Sequence, residues 1–391
     1  MSNNAVQPDK LKILICILYY FPHRTGMQLY IQRVSEALVA RGHQVTILTA
    51  RHQPQLLPEE VVNGVRVVRL WAPPIPISRG MIMPAYPQAA AKLISEHDVV
   101  SIHSPMLESA LVVGIAKALG KKVIITHHGD LILPQGLLNR TIQTAMFAQY
   151  RFAASNAAQI VAYSEDYANH SYYLLPFRDK VSVIYPPVHM PKPNPQRAEE
   201  LRAAWSHEGG PVIGFAGRFV EEKRPDLLIR SLDIINQKYP NARIVFAGEY
   251  DIKYENTWQM LQPIVQKYQA QLIFLGMLGD MQAMADFFAA CDVLALTSDS
   301  ECFALVQVEA MLSGIPVVMT NTPGGRVPVQ VTGMGKLVPP GDVTAIGNAI
   351  VDIIDNPDTY RRSRNEIAET FSFEETVDRY ERIFRENAVS R

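Results

Sequence analysis

Short apolar runs alternate along this chain with stretches whose apolar positions recur at helical spacing. The first run, LKILICIL (Leu11 to Leu18), is apolar apart from Lys12, as a parallel strand buried on both faces requires. A loop, YYFPHRTGM, leads into an amphipathic helix from about Gln28 to Arg41; Gly42 ends the helix and QVTILT (Gln44 to Thr49) returns as a strand. Further strands are expected at VRVVRL (Val65 to Leu70), DVVSIH (Asp98 to His103), KVIITH (Lys122 to His127), QIVAYS (Gln159 to Ser164) and VSVIY (Val181 to Tyr185). The segment Pro186 to Pro195, PPVHMPKPNP, is dense in proline and reads as a linker. Beyond it the alternation begins again. PVIGFAG (Pro211 to Gly217), ARIVFAG (Ala242 to Gly248) and AQLIFLG (Ala270 to Gly276) each end in glycine, and DVLALT (Asp292 to Thr297) and IPVVM (Ile315 to Met319) follow. The pattern predicts an α/β protein of two consecutive doubly wound, Rossmann-like domains, 1–188 and 196–372, whose ligands sit at the C-terminal ends of the strands.

Composition narrows this little. With 391 residues, 48% hydrophobic and 19% charged, the chain reads as an ordinary soluble protein of two or three domains. Its three cysteines, Cys16, Cys291 and Cys302, are scattered, which argues against a disulfide framework or structural zinc and fits a reducing compartment. The polar start MSNNAVQPDKLK lacks a signal-peptide run, and no apolar stretch has the length of a membrane span, so a cytoplasmic protein is expected. Charge is divided unevenly: 17 basic against 11 acidic side chains in residues 1–190, and 20 against 27 in 191–391. A basic first half can attract an anionic acceptor or give weak peripheral contact with the inner face of a membrane. Because no dense Lys/Arg cluster occurs, a lopsided spread of solvated charge explains it equally well, and nothing calls for a nucleic-acid partner.

The candidate chemistry concentrates in TSDSECFALVQVEAMLSGIPVVMT, Thr297 to Thr320, which reads as strand, helix, strand. Ser298, Asp299 and Ser300 are good N-caps, so the helix is expected to start near Glu301 to Phe303, with unpaired amides able to hold a phosphate. Glu301 and Glu309, eight residues apart, would fall within roughly 80° of one another on such a helix. An ordinary surface glutamate satisfies the same spacing. A pair of carboxylates over a phosphate-ready helix end suits a sugar nucleotide, with Glu309 accepting from ribose hydroxyls and Glu301 from those of the sugar.

ECFALVQVEAMLSGIPVV resembles the E-x7-E region of glycosyltransferase family 4, retaining enzymes that use sugar nucleotides and have the GT-B fold, in which two Rossmann-like domains face one another across a cleft. In GFAGRFVEEKRPD (Gly214 to Asp226), Gly217 allows a close turn, and the resemblance makes Arg218 and Lys223 the clamp on the departing diphosphate, with no metal or other cofactor required. KVIITHHGD resembles the family's T-x-H-G segment, implying that His128 lies at the transferring sugar; residues alone do not decide between His127 and His128. Where the family has a Gly-Gly pair, this chain has Thr25-Gly26, a departure bearing on donor approach and acceptor choice. His23 and Arg24 beside it either meet an acceptor phosphate or are plain loop residues.

The resemblance further places the nucleobase at backbone groups near Met277 and Leu278, and the diphosphate on the amides of Leu305 and Val306, after Phe303 and Ala304, where the family often has glycine. Pro323 to Arg326 (PGGR) matches the loop after the core stretch, with glycines that can be turn residues only, and GEYD (Gly248 to Asp251) lacks the second glycine of the family's G-x-G. The last helix, within 373–391, is implied to pack back on the first domain. Acceptor selection is implied for that domain, with Thr25 and Asp130 on the acceptor side and specificity in the loops Pro73 to Pro87 and the apolar-basic segment Leu131 to Phe152, which reads as a lipid-facing or a core-facing helix. The expected protein is a retaining glycosyltransferase moving a hexose-type sugar from a nucleoside-diphosphate sugar (UDP- or GDP-linked) to a hydroxyl of a glycan, lipid or small molecule. A nucleotide-sugar epimerase or hydrolase of the same fold, or a degenerate sugar-nucleotide-binding scaffold, are the alternatives.

Overall fold

The computed structural model describes residues 10–23, 25–73, 81–131, 136–252 and 255–389. Arg24, residues 74–80 of the loop 73–87 and residues 132–135 of the segment 131–152, all raised above as acceptor-side candidates, lie outside them. The chain divides into two units, one of residues 1–187 with 374–391 and one of residues 188–373.

In the first unit the strands are β1 (Lys12–Cys16), β2 (Gln44–Ala50), β3 (Glu59–Val62), β4 (Val65–Leu70), β5 (Val99–Ser104), β6 (Val123–His127), β7 (Gln159–Ala162) and β8 (Val181–Val183). They form one sheet in the order β3-β4-β2-β1-β5-β6-β7-β8. All neighbours are parallel except β3 and β4. The central strands bury every side chain they can: β5 is buried throughout, and Ile13, Leu14, Ile15 and Cys16 of β1 are at most 1% exposed. Strand β3 has no counterpart in the sequence reading. It forms a hairpin with β4 around Asn63 and Gly64, both left-handed (φ 50° and 82°), the Asn-Gly dipeptide of a tight turn. Its burial pattern is half solvated, and it shows no apolar run to announce it.

The helix Phe373–Asn387 completes this unit by burying Val377, Tyr380, Ile383 and Phe384, spaced as one helical face. Tyr380 Oη bonds Tyr30 and, at 3.1 Å, Thr126 Oγ1, while Arg41 draws Glu374, Asp378 and Glu381 to within 2.6–2.9 Å. The segment Leu131 to Phe152 contributes to the helix Leu137–Asn156, which has both kinds of face: Tyr150, Ala153 and Ala154 are buried, Leu137 and Phe152 exposed.

The second unit has β9 (Val212–Ala216), β10 (Arg243–Ala247), β11 (Leu272–Gly276), β12 (Val293–Leu296), β13 (Val317–Thr320) and β14 (Gly335–Val338), all parallel, in the order β11-β10-β9-β12-β13-β14. The proline-rich segment is not loose at this end. Val188 and Met190 are buried, the Arg364 guanidinium donates to Met190 O, and Asn194 caps the helix Pro195–Trp205. Among the described residues no helix is long and apolar enough to cross a membrane.

Candidate active site

Strands β9 and β12 are neighbours although far apart in sequence, so chain order reverses between them, and the loops leaving their C-terminal ends open the crevice where parallel sheets bind ligands. The loop after β9 is tied to that after β10 by Gly217 N to Ala247 O and Phe219 N to Glu249 O, both 2.9 Å. Gly248 (φ 134°) comes so close that a Cβ there would stand 2.2 Å from Gly217 O. Half-buried Arg218 follows, then a short 3-10 turn, Glu221–Lys223, ending in left-handed Arg224 (φ 47°). Arg224 grips Asp226 through two hydrogen bonds of 3.0 and 3.1 Å and reaches Asp299 at 3.1 Å. Asp299 N donates to Glu222 O at 2.8 Å and Thr297 Oγ1 to Arg224 O at 2.7 Å, so the loops after β9 and β12 are sewn together.

This sewing brings Lys223 onto Glu301. The ammonium pairs with Glu301 Oε1, which also accepts from Ser298 Oγ at 2.9 Å. The two side chains are 23% and 11% exposed. Burial by itself lowers the Lys223 pKa, but the carboxylates of Glu301 and Glu222 outweigh it and hold the pKa above the ordinary value. The sequence-based helix start is corrected here. The helix runs Leu305–Leu312 and begins from Ala304, left-handed at φ 56° and ψ 77°, with no side-chain cap. Ser298, Asp299 and Glu301 are absent from it because their polar groups are consumed elsewhere: Ser298 on Glu301, Asp299 on Arg224, and Glu301 on Lys223 and in a backbone bridge to Gly324. Glu301 and Glu309 therefore do not share a helical face. Leu305 and Glu309 do, one turn apart, and the first-turn amides of Leu305 and Val306 lack carbonyl partners within the helix.

Gly324 and Gly325 are more than turn residues. Gly324 is left-handed (φ 78°), and a Cβ on it would meet Cys302 O at 2.5 Å; a Cβ on Gly325 would meet the Glu301 Cβ at 2.9 Å. Only glycine lets this loop close against Glu301. Phe303 is fully buried against Phe371, and burial pushes the neighbouring Cys302 thiol up to about 12, so it stays protonated. Met277 is 62% exposed after β11, and half-buried Leu278 lines a groove with Leu275, Trp205 and Phe287.

In the first unit Thr25 is the extended residue before the helix Gly26–Ala40; its hydroxyl donates to Gln28 Oε1, and Gly26 is the first helical residue. Of the histidine pair, His127 bonds Asp130 Oδ1 at 2.9 Å and Ser104 Oγ at 3.2 Å. His128, expected at the sugar, instead has both ring nitrogens engaged within the unit, by His103 Nδ1 at 2.7 Å and by the Tyr163 hydroxyl. Burial first, then His103 and His127, hold its pKa far below the usual histidine value, so it is neutral. Asp130 serves the same fold: its carboxylate takes His127, Ser171 Oγ and, at 3.1 Å, Tyr172 N. The sequence reading missed Glu108, which follows β5 where the first sheet reverses its order beside β1. Its carboxyl is 8% exposed, Oε2 meets no donor, and burial pushes its pKa up to about 7. Its signal is positional, and strand order is not written in the sequence.

Two family descriptions divide the chain between them: "Glycosyl transferase 4-like domain" matches residues 25–187 and "Glycosyl transferases group 1" matches residues 197–370. The phosphatidyl-myo-inositol mannosyltransferase of Mycobacterium leprae is 25% identical over 357 residues, 86% of either chain. A D-inositol 3-phosphate glycosyltransferase of Streptomyces coelicolor is 33% identical over 208 residues, 46% of this chain and 44% of that one. Among solved structures, sucrose-phosphate synthase from Thermosynechococcus elongatus superposes with a TM-score of 0.78 at 20% identity, covering 96% of this chain and 99% of that one. Anabaena HepE in complex with UDP-glucose gives 0.77 at 18% identity, covering 96% and 100%.

Proposed function

Because the chain belongs to the family-4 glycosyltransferases and has the GT-B fold, we propose that it moves a hexose-type sugar from a nucleoside-diphosphate sugar to an acceptor hydroxyl with retention of configuration. The observation that supports this reading is the part-buried Lys223–Glu301 pair, followed in the chain by the uncapped first turn of the helix Leu305–Leu312, where β9 and β12 reverse the chain order. Arg218, Lys223 and the amides of Leu305 and Val306 take the diphosphate as negative charge builds on it, and no metal is needed for that. Once the donor phosphate shares Lys223, Glu301 is released to accept from the sugar's hydroxyls. Glu309, one turn below Leu305, takes the ribose, and backbone groups at Met277 and Leu278 take the base. The acceptor hydroxyl attacks from the side of the leaving group and passes its proton to the departing diphosphate oxygen; no side chain serves as covalent nucleophile. A part for His128 requires that it exchange one of its two present bonds for one to the donor. The acceptor belongs to the first unit, with Thr25 at the start of its first helix.

A thermal-shift panel of UDP, GDP, ADP and their glucose, mannose, galactose and N-acetylglucosamine derivatives, without added metal, tests the reading. We expect one nucleotide to stabilise the protein and one sugar to add to it, with no loss on adding EDTA. No shift from any of them would sink the transferase reading. Consumption of donor at full rate without any acceptor would favour a hydrolase or epimerase.

A further inference from the structure

The turn that opens the helix Leu305–Leu312 contains two unfavourable features side by side. Ala304 is left-handed, a conformation that residues other than glycine rarely adopt. Three residues later Gln307 is fully buried, and its Nε2 donates to Gly325 O at 2.7 Å and to Phe303 O at 3.2 Å. Two carbonyl partners fix the amide's orientation, and in that orientation the buried Oε1 meets no donor. Gln307 N also donates to Ala304 O at 3.0 Å. One side chain thus clamps the carbonyl preceding the strained alanine to the loop of Gly324 and Gly325. That loop is in turn pressed on Glu301, through the Glu301–Gly324 bridge and the room that only glycine leaves at position 325.

Resting on the transferase reading above, we propose that Gln307 is a positioning residue for the donor site: it holds the left-handed turn at Ala304 and the Gly324–Gly325 turn in one arrangement. Through them it sets the direction of the Glu301 carboxylate and of the Leu305 and Val306 amides. It touches neither donor nor acceptor. Its action passes through two backbone carbonyls, and the strain at Ala304 is what makes the clamp necessary, because a glycine there would take up the turn unaided. Ala304 and Gln307 are therefore coupled: what one costs the fold, the other contains.

The test is a cycle of four proteins: parent, Gln307→Met, Ala304→Gly and the double variant. Each is assayed for nucleoside diphosphate released from UDP-glucose, UDP-N-acetylglucosamine, GDP-mannose and ADP-glucose, and for its urea unfolding midpoint. Methionine has nearly the length of glutamine and removes the orphaned acceptor together with the two donated bonds, so the midpoint should stay close to that of the parent. We expect kcat to fall about tenfold or more while donor KM changes by no more than about twofold, the mark of an interaction made in the transition state. Ala304→Gly in the Gln307→Met background should restore most of the lost kcat. An unchanged kcat in Gln307→Met, or a loss of equal size in the double variant, overturns the proposal. A parent that releases nothing from the four donors without an acceptor leaves the transferase reading to the thermal-shift panel, whose silence alone overturns it, and the midpoints then decide the coupling. A larger rise from Ala304→Gly in the Gln307→Met background than in the parent supports it, and equal rises overturn it.

Discussion

Lys223 and Glu301 each neutralise the other where both side chains are part-buried, so removing either leaves the partner with an unmet charge. Lys223→Ala should lower kcat for sugar transfer about 10²–10³-fold, the loss typical of one preorganised donor to a leaving group, and Glu301→Ala should be at least as damaging. Steady-state rates on the donor that the thermal-shift panel identifies will check this, with circular dichroism to show both variants folded; near-parental rates in both would remove the pair from the mechanism. Glu108 carries a second consequence at this scale. Its pKa is raised in the folded chain to about 7 from 4.5, so the protonated form is the one the fold favours. Its contribution is complete below the unfolded pKa and is lost as pH rises through 7, which over that window is on the order of 2–3 kcal/mol. Glu108→Gln stays neutral throughout and should gain on the parent between pH 5 and 8 in urea unfolding; parallel pH profiles would refute this.

The strands were legible because a parallel strand covered on both faces can hardly be anything but an apolar run, and β4 lies where VRVVRL predicts it, Val65–Leu70. Half-solvated β3 had no such run, although Asn63-Gly64 marked its turn. Of the candidate site residues the structure brings Lys223 and Glu301 together, a meeting that their spacing in the sequence does not show. Reading Ser298 to Ser300 as a cap assumed that local partners win, whereas Arg224, Lys223 and Gly324, distant in sequence, claimed Asp299 and Glu301. Nor could spacing reveal which glycines are spatially indispensable. Gly248→Ala combines a left-handed φ with a Cβ 2.2 Å from Gly217 O, and should cost about 2 kcal/mol or more in urea unfolding. Gly314→Ala is the control: its φ of 89° is strained for alanine too, but nothing lies within 4 Å of the added Cβ, so its loss should be the smaller.

For the molecule as a whole, the feature with the widest reach is the helix Phe373–Asn387, whose residues from 374 onward belong to the first unit although the entire second unit precedes them in the chain. Ending the chain after Ser372 would uncover Tyr30 and strip Arg41 of Glu374, Asp378 and Glu381. Hydrogen exchange on that truncation should show protection falling in β1, β6 and the helix Gly26–Ala40 while β9 to β14 keep theirs; uniform protection would show the helix to be dispensable. The same arrangement imposes an order on biosynthesis. A ribosome adding about 5–20 residues each second completes residues 1–187 and then needs roughly 10–40 s more to deliver their last helix. During that interval the second unit is being made and needs nothing beyond residue 373, whereas the first must wait with an apolar face uncovered, and it is this nascent half that chaperones would have to guard.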